Sequence, residues 1–392
     1  MRAKNLFVVS SFIAVSALVL SLVAPIAKAD TCAPGVQGNA AKRIVWFAGG
    51  KGSGFWPMVE NVLRATAADL GVTLEVYYSN ENPLDHINQV EAALTRSDRP
   101  VDGVLFHNHK HRGVELLKRV EAHGVPAMLM NAGFMAAENA GRPRENYRCW
   151  IGAMLPDDEG AGYRLAKALI AEAERLPNGL HQGAVHMVGI EGDRASMASQ
   201  RRVEGLKRAL AERAGEKEKP PVVFHQYFHS KWKRDLAATA YKMTRARYPE
   251  VTVFWTAADI MGLGVVDAAT EEGRRPGHDF VTGGMDLLPY TFEQLEAGNL
   301  TASVGAHYIE AAFALTALYD YLNGYDFGKT GKTQFSTDMA VRIGGAGRAL
   351  PKDDAEIVRR LDRIDFSALS NAHAGRLKPY ALDTQAVLDQ LW

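Results

Sequence analysis

Three histidines recur at every second position in His107-Asn108-His109-Lys110-His111. Alternate residues of an extended segment share a face, so the three imidazoles could converge on a metal ion, as in a metal-dependent hydrolase. No carboxylate or cysteine adjoins the segment in the sequence. Polar contacts at the rim of a cleft and ordinary loop histidines are the competing interpretations.

A glycine-rich segment, residues 49–54, carries Ser53 and is followed by Phe55 and Trp56. It lacks the Gly-Lys-Ser/Thr ending of a phosphate-binding loop and the spacing of a dinucleotide loop. The chain also has no Gly-x-Ser-x-Gly motif, and no histidine is fixed beside Ser53 by a local pattern. Two adjacent aromatic rings and one hydroxyl favour a flat ligand with an apolar face.

The surrounding hydrophobic pattern positions this loop. Ile44–Ala48 is a short apolar run typical of a buried strand, and the apolar residues after Phe55 have helical spacing. In an open α/β sheet the loop after such a strand lies at the edge where ligands bind. Strand and helix patterns continue to alternate up to Met130 and start again at Arg148, which predicts an α/β protein with parallel sheets covered on both faces.

The repeat predicts two Rossmann-like lobes, each a doubly wound parallel sheet, joined by a multi-strand hinge. We expect residues 43–146 plus about 307–332 to form the N-terminal lobe. We expect residues 147–306 plus about 333–345 to form the C-terminal lobe, and residues 346–392 to form a C-terminal extension on the body. The segments 300–309 and 333–343 would cross between the lobes, and 335–343 has the alternation of one strand.

The amino terminus has the pattern of an export signal. Arg2 and Lys4 precede an apolar run, and Ala27-Lys28-Ala29 fits a cleavage site, so residues 1–29 are predicted to be a cleaved signal peptide of a periplasmic protein. An uncleaved membrane anchor is the alternative. The remainder has 42 basic and 45 acidic residues, because 3 of the 45 basic residues are removed, and this balance does not indicate a nucleic-acid partner.

Only two cysteines occur, Cys32 and Cys149. In an oxidising compartment such a pair is more often bridged than free, but sequence spacing cannot establish proximity. A disulfide and two free thiols both remain open.

In residues 43–345 the chain resembles the type 1 periplasmic binding proteins, in particular the ribose-binding branch and the autoinducer-2 receptor. The resemblance rests on a series of short motifs in a fixed order: Gly52-Ser53-Gly54-Phe55-Trp56, Asn131, Ile151-Gly152, Gly189-Ile190-Glu191-Gly192, Arg202-Val203-Glu204-Gly205-Leu206, Asp259-Ile260-Met261-Gly262-Leu263-Gly264 and Gly284-Met285-Asp286.

The resemblance implies two lobes that close on a small polar ligand, usually a sugar. It implies ligand contacts by Ser53, Phe55, Trp56 and Asn131 of the first lobe, by Arg202, Trp232, Asp259 and Asp286 of the second, and by His307 at the crossing segment. Ala132, Ala258 and Ala306 stand where the ribose branch has arginine, asparagine and glutamine, which argues against ribose itself. Core packing is the alternative for Trp56 and Trp232, a solvated charge for Arg202, and a helix cap for Asp286.

The expected function is therefore that of a solute-binding protein, with no catalytic residue, cofactor or metal. It would be a monomer that delivers a sugar or sugar-like ligand to a membrane ABC permease. A receptor for an autoinducer-2-like signal that acts on a sensor kinase in chemoreception is one alternative. An exported α/β or metal-dependent hydrolase that uses the histidine-rich segment is another.

Overall fold

The computed structural model describes residues 32–51, 54–344 and 354–391. The predicted signal peptide and Ser53 lie outside these residues. No helix in the described part of the chain is both long and apolar enough to cross a membrane. Cys32 and Cys149 form a disulfide, with Cα atoms 5.0 Å apart, which ties the start of the described chain to the segment before the fifth strand.

The first six-stranded sheet has the order β11-β5-β4-β3-β1-β2, and all its pairings are parallel. Its strands and the helices between them are β1 (Arg43–Ala48), α1 (Phe55–Leu70), β2 (Thr73–Tyr78), α2 (Pro83–Leu94), β3 (Gly103–Phe106), α3 (Gly113–His123), β4 (Ala127–Met130), β5 (Trp150–Pro156) and β11 (Gln334–Thr337).

Both faces of this sheet are buried, as the apolar run of β1 predicts. Ile44 and Trp46 pack into one core with α1, whereas Val45 and Phe47 pack into another with α2 and α3. Local signals set the helix boundaries: α2 begins with Pro83 in its first turn, where the Asn82 side chain accepts the backbone N–H of Leu84 at 2.9 Å.

The second six-stranded sheet has the order β12-β10-β9-β8-β6-β7. Its pairings are parallel except that of β10 with β12, which is antiparallel. Its elements are α4 (Asp158–Ala173), β6 (Val185–Glu191), α5 (Met197–Gly215), β7 (Val222–His229), α6 (Arg234–Arg247), β8 (Val253–Thr256), α7 (Asp259–Glu271), β9 (Val281–Asp286), α8 (Pro289–Glu296), β10 (Ala302–Gly305) and β12 (Ala340–Ile343).

The chain passes between the sheets at three places, and two of them differ from the sequence prediction. β5 pairs with β4 and so belongs to the first sheet, although residues from 147 onward were assigned to the second lobe. The predicted single strand at 335–343 is two strands: β11 pairs with β5, and β12 pairs with β10. Local alternation cannot reveal that Asp338 and Met339 interrupt the strand and send its halves to different sheets.

The third passage follows β10. A single turn of 3-10 helix, His307–Ile309, leads into α9 (Glu310–Leu322), which is buried on every side and packs against β3, β4 and β5. The C-terminal extension contains α10 (Asp354–Leu361), α11 (Asn371–Ala374) and α12 (Thr384–Leu391). α10 packs on α1, and α12 packs on the 3-10 turn, so the extension covers the first lobe beside the passage.

Candidate functional site

Arg202 is placed by the close packing of two helices. A Cβ on Gly162 of α4 would lie 2.0 Å from the backbone oxygen of Arg202, and one on Gly205 of α5 would lie 2.0 Å from that of Glu159. Only glycine permits this approach of the two backbones. It brings the Arg202 side chain, 4% exposed as a residue, to Asp158 in the first turn of α4. The predicted alternative of a solvated surface charge is therefore wrong for Arg202.

The Arg202 guanidinium has fixed partners on three sides. Its Nε donates to Asp158 Oδ1 at 2.7 Å, and its Nη1 donates to the backbone oxygen of Ala257 at 2.7 Å. Its Nη2 lies 3.4 Å from Nε2 of His307. Asp157, not Asp158, caps α4 by accepting the Gly160 N–H, which leaves the Asp158 carboxylate available to Arg202.

Asp286 ends β9, where the backbone has a φ of 146°, and its residue is 7% exposed. One carboxylate oxygen lies 4.0 Å from Arg202 Nη1 and 3.9 Å from His307 Nε2. Burial raises the pKa of the Asp286 carboxyl well above its usual range, and Arg202 offsets part of that rise. The Asp286 carboxyl therefore lies near the Arg202 guanidinium and the His307 imidazole without a close contact to either.

His307 joins the two lobes at this point. Its ring stacks on Phe55 of α1, with centroids 4.6 Å apart and planes 28° apart, while its Nε2 faces Arg202. Burial lowers the pKa of His307 well below its ordinary value, and the adjacent Arg202 lowers it further, so the imidazole is neutral near pH 7. Phe55 of the first lobe, His307 of the passage and Arg202 of the second lobe are thus contiguous.

Trp56 and Trp232, the two tryptophans predicted to contact the ligand, are half-buried and lie on different lobes. Trp56 stacks on His107 with ring centroids 4.2 Å apart, and Trp232 has the Arg202 guanidinium 5.6 Å from its ring centroid. The ring-to-ring contacts of the described residues do not include a Trp56–Trp232 pair. Trp232 is adjacent to Arg202. Trp56 is linked to Arg202 only through Phe55, whose ring centroid lies 5.2 Å from that of Trp56, and through His307.

Asn131 follows β4 in a left-handed conformation with φ 64°, and it lies beside the Glu310 carboxyl. Glu310 is 1% exposed at the start of α9, and its Oε2 accepts the Thr337 hydroxyl at 3.2 Å. Burial raises the pKa of Glu310 well above its ordinary value, and the nearby Asp158 raises it further. The first lobe therefore contributes a buried carboxyl that the sequence analysis did not single out.

The Asp259 carboxylate connects segments of the second lobe next to the site. Its Oδ2 accepts the Leu287 N–H at 2.8 Å and the hydroxyls of Thr291 and Ser303 at 2.9 and 2.8 Å. These three contacts hold the loop after β9 and the strand β10. Asp259 thereby positions Asp286 and His307.

Several buried polar atoms around Arg202 lack a hydrogen-bond partner. They are Asp158 Oδ2, Ser199 Oγ, His307 Nδ1 and Glu310 Oε1. Leaving buried polar atoms unpaired is costly, so such atoms indicate a site for water or ligand groups. Glu310 could have been noticed as a carboxylate opening an otherwise apolar helix, and Asp158 as the second acid at a helix start. Ser199 gave no distinctive signal.

The histidine-rich segment does not form the predicted metal face. His107 and His109 are buried at 4% and 7% exposure, but the His111 side chain is 43% exposed and its Nδ1 lies 3.4 Å from Glu138. Its last three residues, His109–His111, form a 3-10 turn and not an extended strand, so the alternate residues do not share a face. Among the described residues these three imidazoles do not bring their nitrogens within metal-binding distance of one another. The metal interpretation of this segment is therefore wrong.

A cavity of about 500 Å³ lies elsewhere, between β12 and the C-terminal extension. Residues 338–341 and 381–385 line it, and none of the predicted ligand residues does. The cavity belongs to the passage between the sheets and to the extension. It is separate from the Arg202 group.

Comparison with known proteins finds periplasmic binding proteins both by sequence and by structure. Residues 44–326 match the sequence profile of a periplasmic binding protein domain. The structure is similar to a periplasmic sugar-binding protein from Pseudomonas fluorescens, with a TM-score of 0.72 and 26% identity over 89% of this chain and 99% of that one. None of the curated proteins matches the sequence.

Two further structures share the fold at lower identity. The arabinose-transporter binding protein of Shewanella sp. ANA-3, bound to α- and β-L-arabinofuranose, has a TM-score of 0.64 and 18% identity over 77% of this chain and 91% of that one. A solute-binding protein of an ABC transporter from Bacillus halodurans C-125, with bound myo-inositol, has a TM-score of 0.62 and 16% identity over 79% and 96%.

Proposed function

The chain belongs to the periplasmic binding protein family and has the two-lobed type 1 fold, and from that premise we propose that it is an exported solute receptor that captures a sugar or sugar-like ligand between its lobes. In this proposal residues 1–29 are removed on export, and the loaded protein delivers its ligand to a membrane ABC permease. The family and the similar structures are binding proteins, not enzymes, so the site performs recognition and not turnover.

The observation that carries the proposal is the Asp286 carboxyl. It is buried, it accepts no hydrogen bond from the described residues, and it lies 4.0 Å from the Arg202 guanidinium. A ligand hydroxyl is both a donor and an acceptor, so it can donate to the carboxyl and accept from a neighbouring N–H. Each hydrogen bond to a charged group contributes about 1.5–3 kcal/mol.

The aromatic side chains supply the remaining recognition. A sugar or cyclitol ring has an apolar C–H face, which an indole or phenyl ring can cover, contributing on the order of 1 kcal/mol beyond area burial. Trp232 adjoins Arg202 on the second lobe, and Phe55 adjoins His307 from the first. Contacts from both lobes to one ligand favour the closed arrangement by the difference in affinity between the two states.

Calorimetry on the mature protein tests this function. We expect saturable binding of one member of a panel containing L-arabinose, D-galactose, D-ribose and myo-inositol. The variant Asp286→Asn replaces one acceptor oxygen with an NH₂ group while keeping the shape of the side chain, so its affinity should fall about 10-fold to 100-fold.

The matched control is Asp235→Asn, because Asp235 is exposed in the first turn of α6 on the same lobe. It should bind as the parent does. Equal affinity in the parent and in Asp286→Asn, with both proteins folded, would remove Asp286 from the site. Absence of binding to polyhydroxylated ligands of every ring size would refute the proposed function.

A further inference from the structure

A second cluster of potential ligand groups lies in the second lobe, away from Arg202. His186 is the second residue of β6, His225 is in the neighbouring strand β7, and Glu250 lies just before β8. In the sheet β6 lies between β7 and β8. The three side chains therefore come from two neighbouring strands and from the segment that leads into a third. Asp286 ends β9 at the opposite end of this parallel sheet, and five residues of strand separate His186 from that end, or about 16 Å.

The three potential ligand atoms form a compact triangle. Nδ1 of His186 lies 3.0 Å from Nε2 of His225, and Oε1 of Glu250 lies 3.8 Å and 3.6 Å from these two nitrogens. A circle through three points with these separations has a radius of about 2.0 Å, which is close to the lengths of Zn–N and Zn–O bonds. An ion near the centre of the triangle would therefore lie at bonding distance from all three atoms.

The charges of the cluster also suit a cation. Glu250 has no lysine or arginine within ion-pair distance among the described residues, and its ion-pair contacts are the two histidines. The side chains of His186 and His225 are each 12% exposed, and that of Glu250 is 23% exposed. A neutral imidazole has one nitrogen with a hydrogen and one with a lone pair, so Nδ1 of His186 and Nε2 of His225 can both present lone pairs to an ion when the hydrogens are on the opposite ring nitrogens.

Neighbouring residues hold the donor side chains in place. The ring of Tyr248 packs on His225 with centroids 4.3 Å apart, and the backbone oxygen of His186 accepts the Thr252 N–H at 3.1 Å. His181 is exposed, and its ring centroid lies 5.5 Å from that of His186. Two imidazoles and one carboxylate form a donor set that zinc accepts in proteins.

We propose that His186, His225 and Glu250 bind one divalent transition-metal ion of the zinc class, independently of the ligand site at Arg202. The ion would cross-link the edge strand β7 to β6 and to the start of β8, and so stabilise the outer end of the second lobe. Nitrogen and carboxylate donors in this number favour zinc, nickel or copper over magnesium or calcium, which prefer oxygen ligands.

The experiment uses untagged mature protein, first dialysed against a chelator. Titration with ZnCl₂ in competition with a chromogenic chelator should show one equivalent bound, and the melting temperature should rise with zinc. His225→Gln and Glu250→Gln should each weaken zinc binding by about 100-fold or more, because each removes a direct ligand.

His278→Gln is the matched control, since His278 is a 44% exposed side chain paired with Asp279 elsewhere in the same lobe. It should keep the parent affinity. Visible absorption of the Co²⁺-loaded parent, with the intensity of a low-coordinate site, provides a readout that does not depend on variants. Failure of the parent to bind one equivalent, or binding that both variants leave unchanged, would overturn the proposal.

Discussion

Acid sensitivity of the first lobe follows from a buried histidine on α2. His86 is fully buried, with the ring centroid of His109 5.2 Å away. Burial, and then the nearby His109, lowers the pKa of His86 from 6.5 to about 4. The unfolded chain therefore takes up a proton on His86 at a higher pH than the folded protein does, and folding stability falls as the pH drops from 6.5 towards 4.

The size of the effect follows from these two pKa values. Between these two pKa values, each drop of one pH unit lowers the free energy of unfolding by about 1.4 kcal/mol. His86 alone therefore lowers the free energy of unfolding by about 2 kcal/mol at pH 5 relative to neutral pH. The variant His86→Leu cannot take up this proton. The decrease in unfolding free energy from pH 7 to pH 5 should therefore be smaller in the variant by about 2 kcal/mol.

Urea unfolding followed by circular dichroism at the two pH values gives this difference directly. Comparing the change within each protein cancels the cost of replacing a core side chain and the titration of the buried carboxyls. His278→Gln is the control, because its exposed imidazole should leave the parent's pH dependence unaltered. The reasoning is refuted if His86→Leu loses as much stability between pH 7 and pH 5 as the parent does.

Two further substitutions test the framework of the molecule. Gly162→Ala places a methyl group against the backbone oxygen of Arg202, so it should cost about 1–3 kcal/mol in thermal unfolding and weaken ligand binding. Gly215→Ala, with open space at its Cβ, should do neither, and equal effects would contradict the packing argument. Asp320→Asn should destabilise the chain by about 2 kcal/mol and speed proteolysis of the C-terminal extension, because its carboxylate accepts four hydrogen bonds from that segment. Unchanged cleavage would show that other contacts hold the extension.

Most of the fold could be predicted from local pattern. The apolar run of β1, the turn at Gly54 and the helical spacing after Phe55 correspond to the observed strand, loop and helix. The prediction went wrong where pairing is decided far away in the chain. β5 lies in the first sheet because it pairs with β4, and the apolar character of its residues does not specify that partner.

The site could be predicted only in part, because some of its contacts also join residues that are distant in the sequence. Arg202 and Asp286 are brought together as the family resemblance implies, at 4.0 Å, but their roles in binding remain predictions. Asp158 and Glu310 were missed because their importance comes from burial beside Arg202 and Asn131, which are distant in sequence. Asp259 has the residue type of a sugar contact, yet its hydrogen bonds go to the backbone of one loop and to two hydroxyls.

The two residues between β11 and β12 have a mechanical consequence for the whole protein. Because Asp338 and Met339 form so short a tether between the sheets, the lobes can rotate about it but have little freedom to slide apart. The extension faces this tether across the cavity at residues 381–385. A rotation of one lobe that changed the shape of this region would have to displace those residues, so we expect the extension to restrict hinge motion and a chain that lacks it to open through a larger angle.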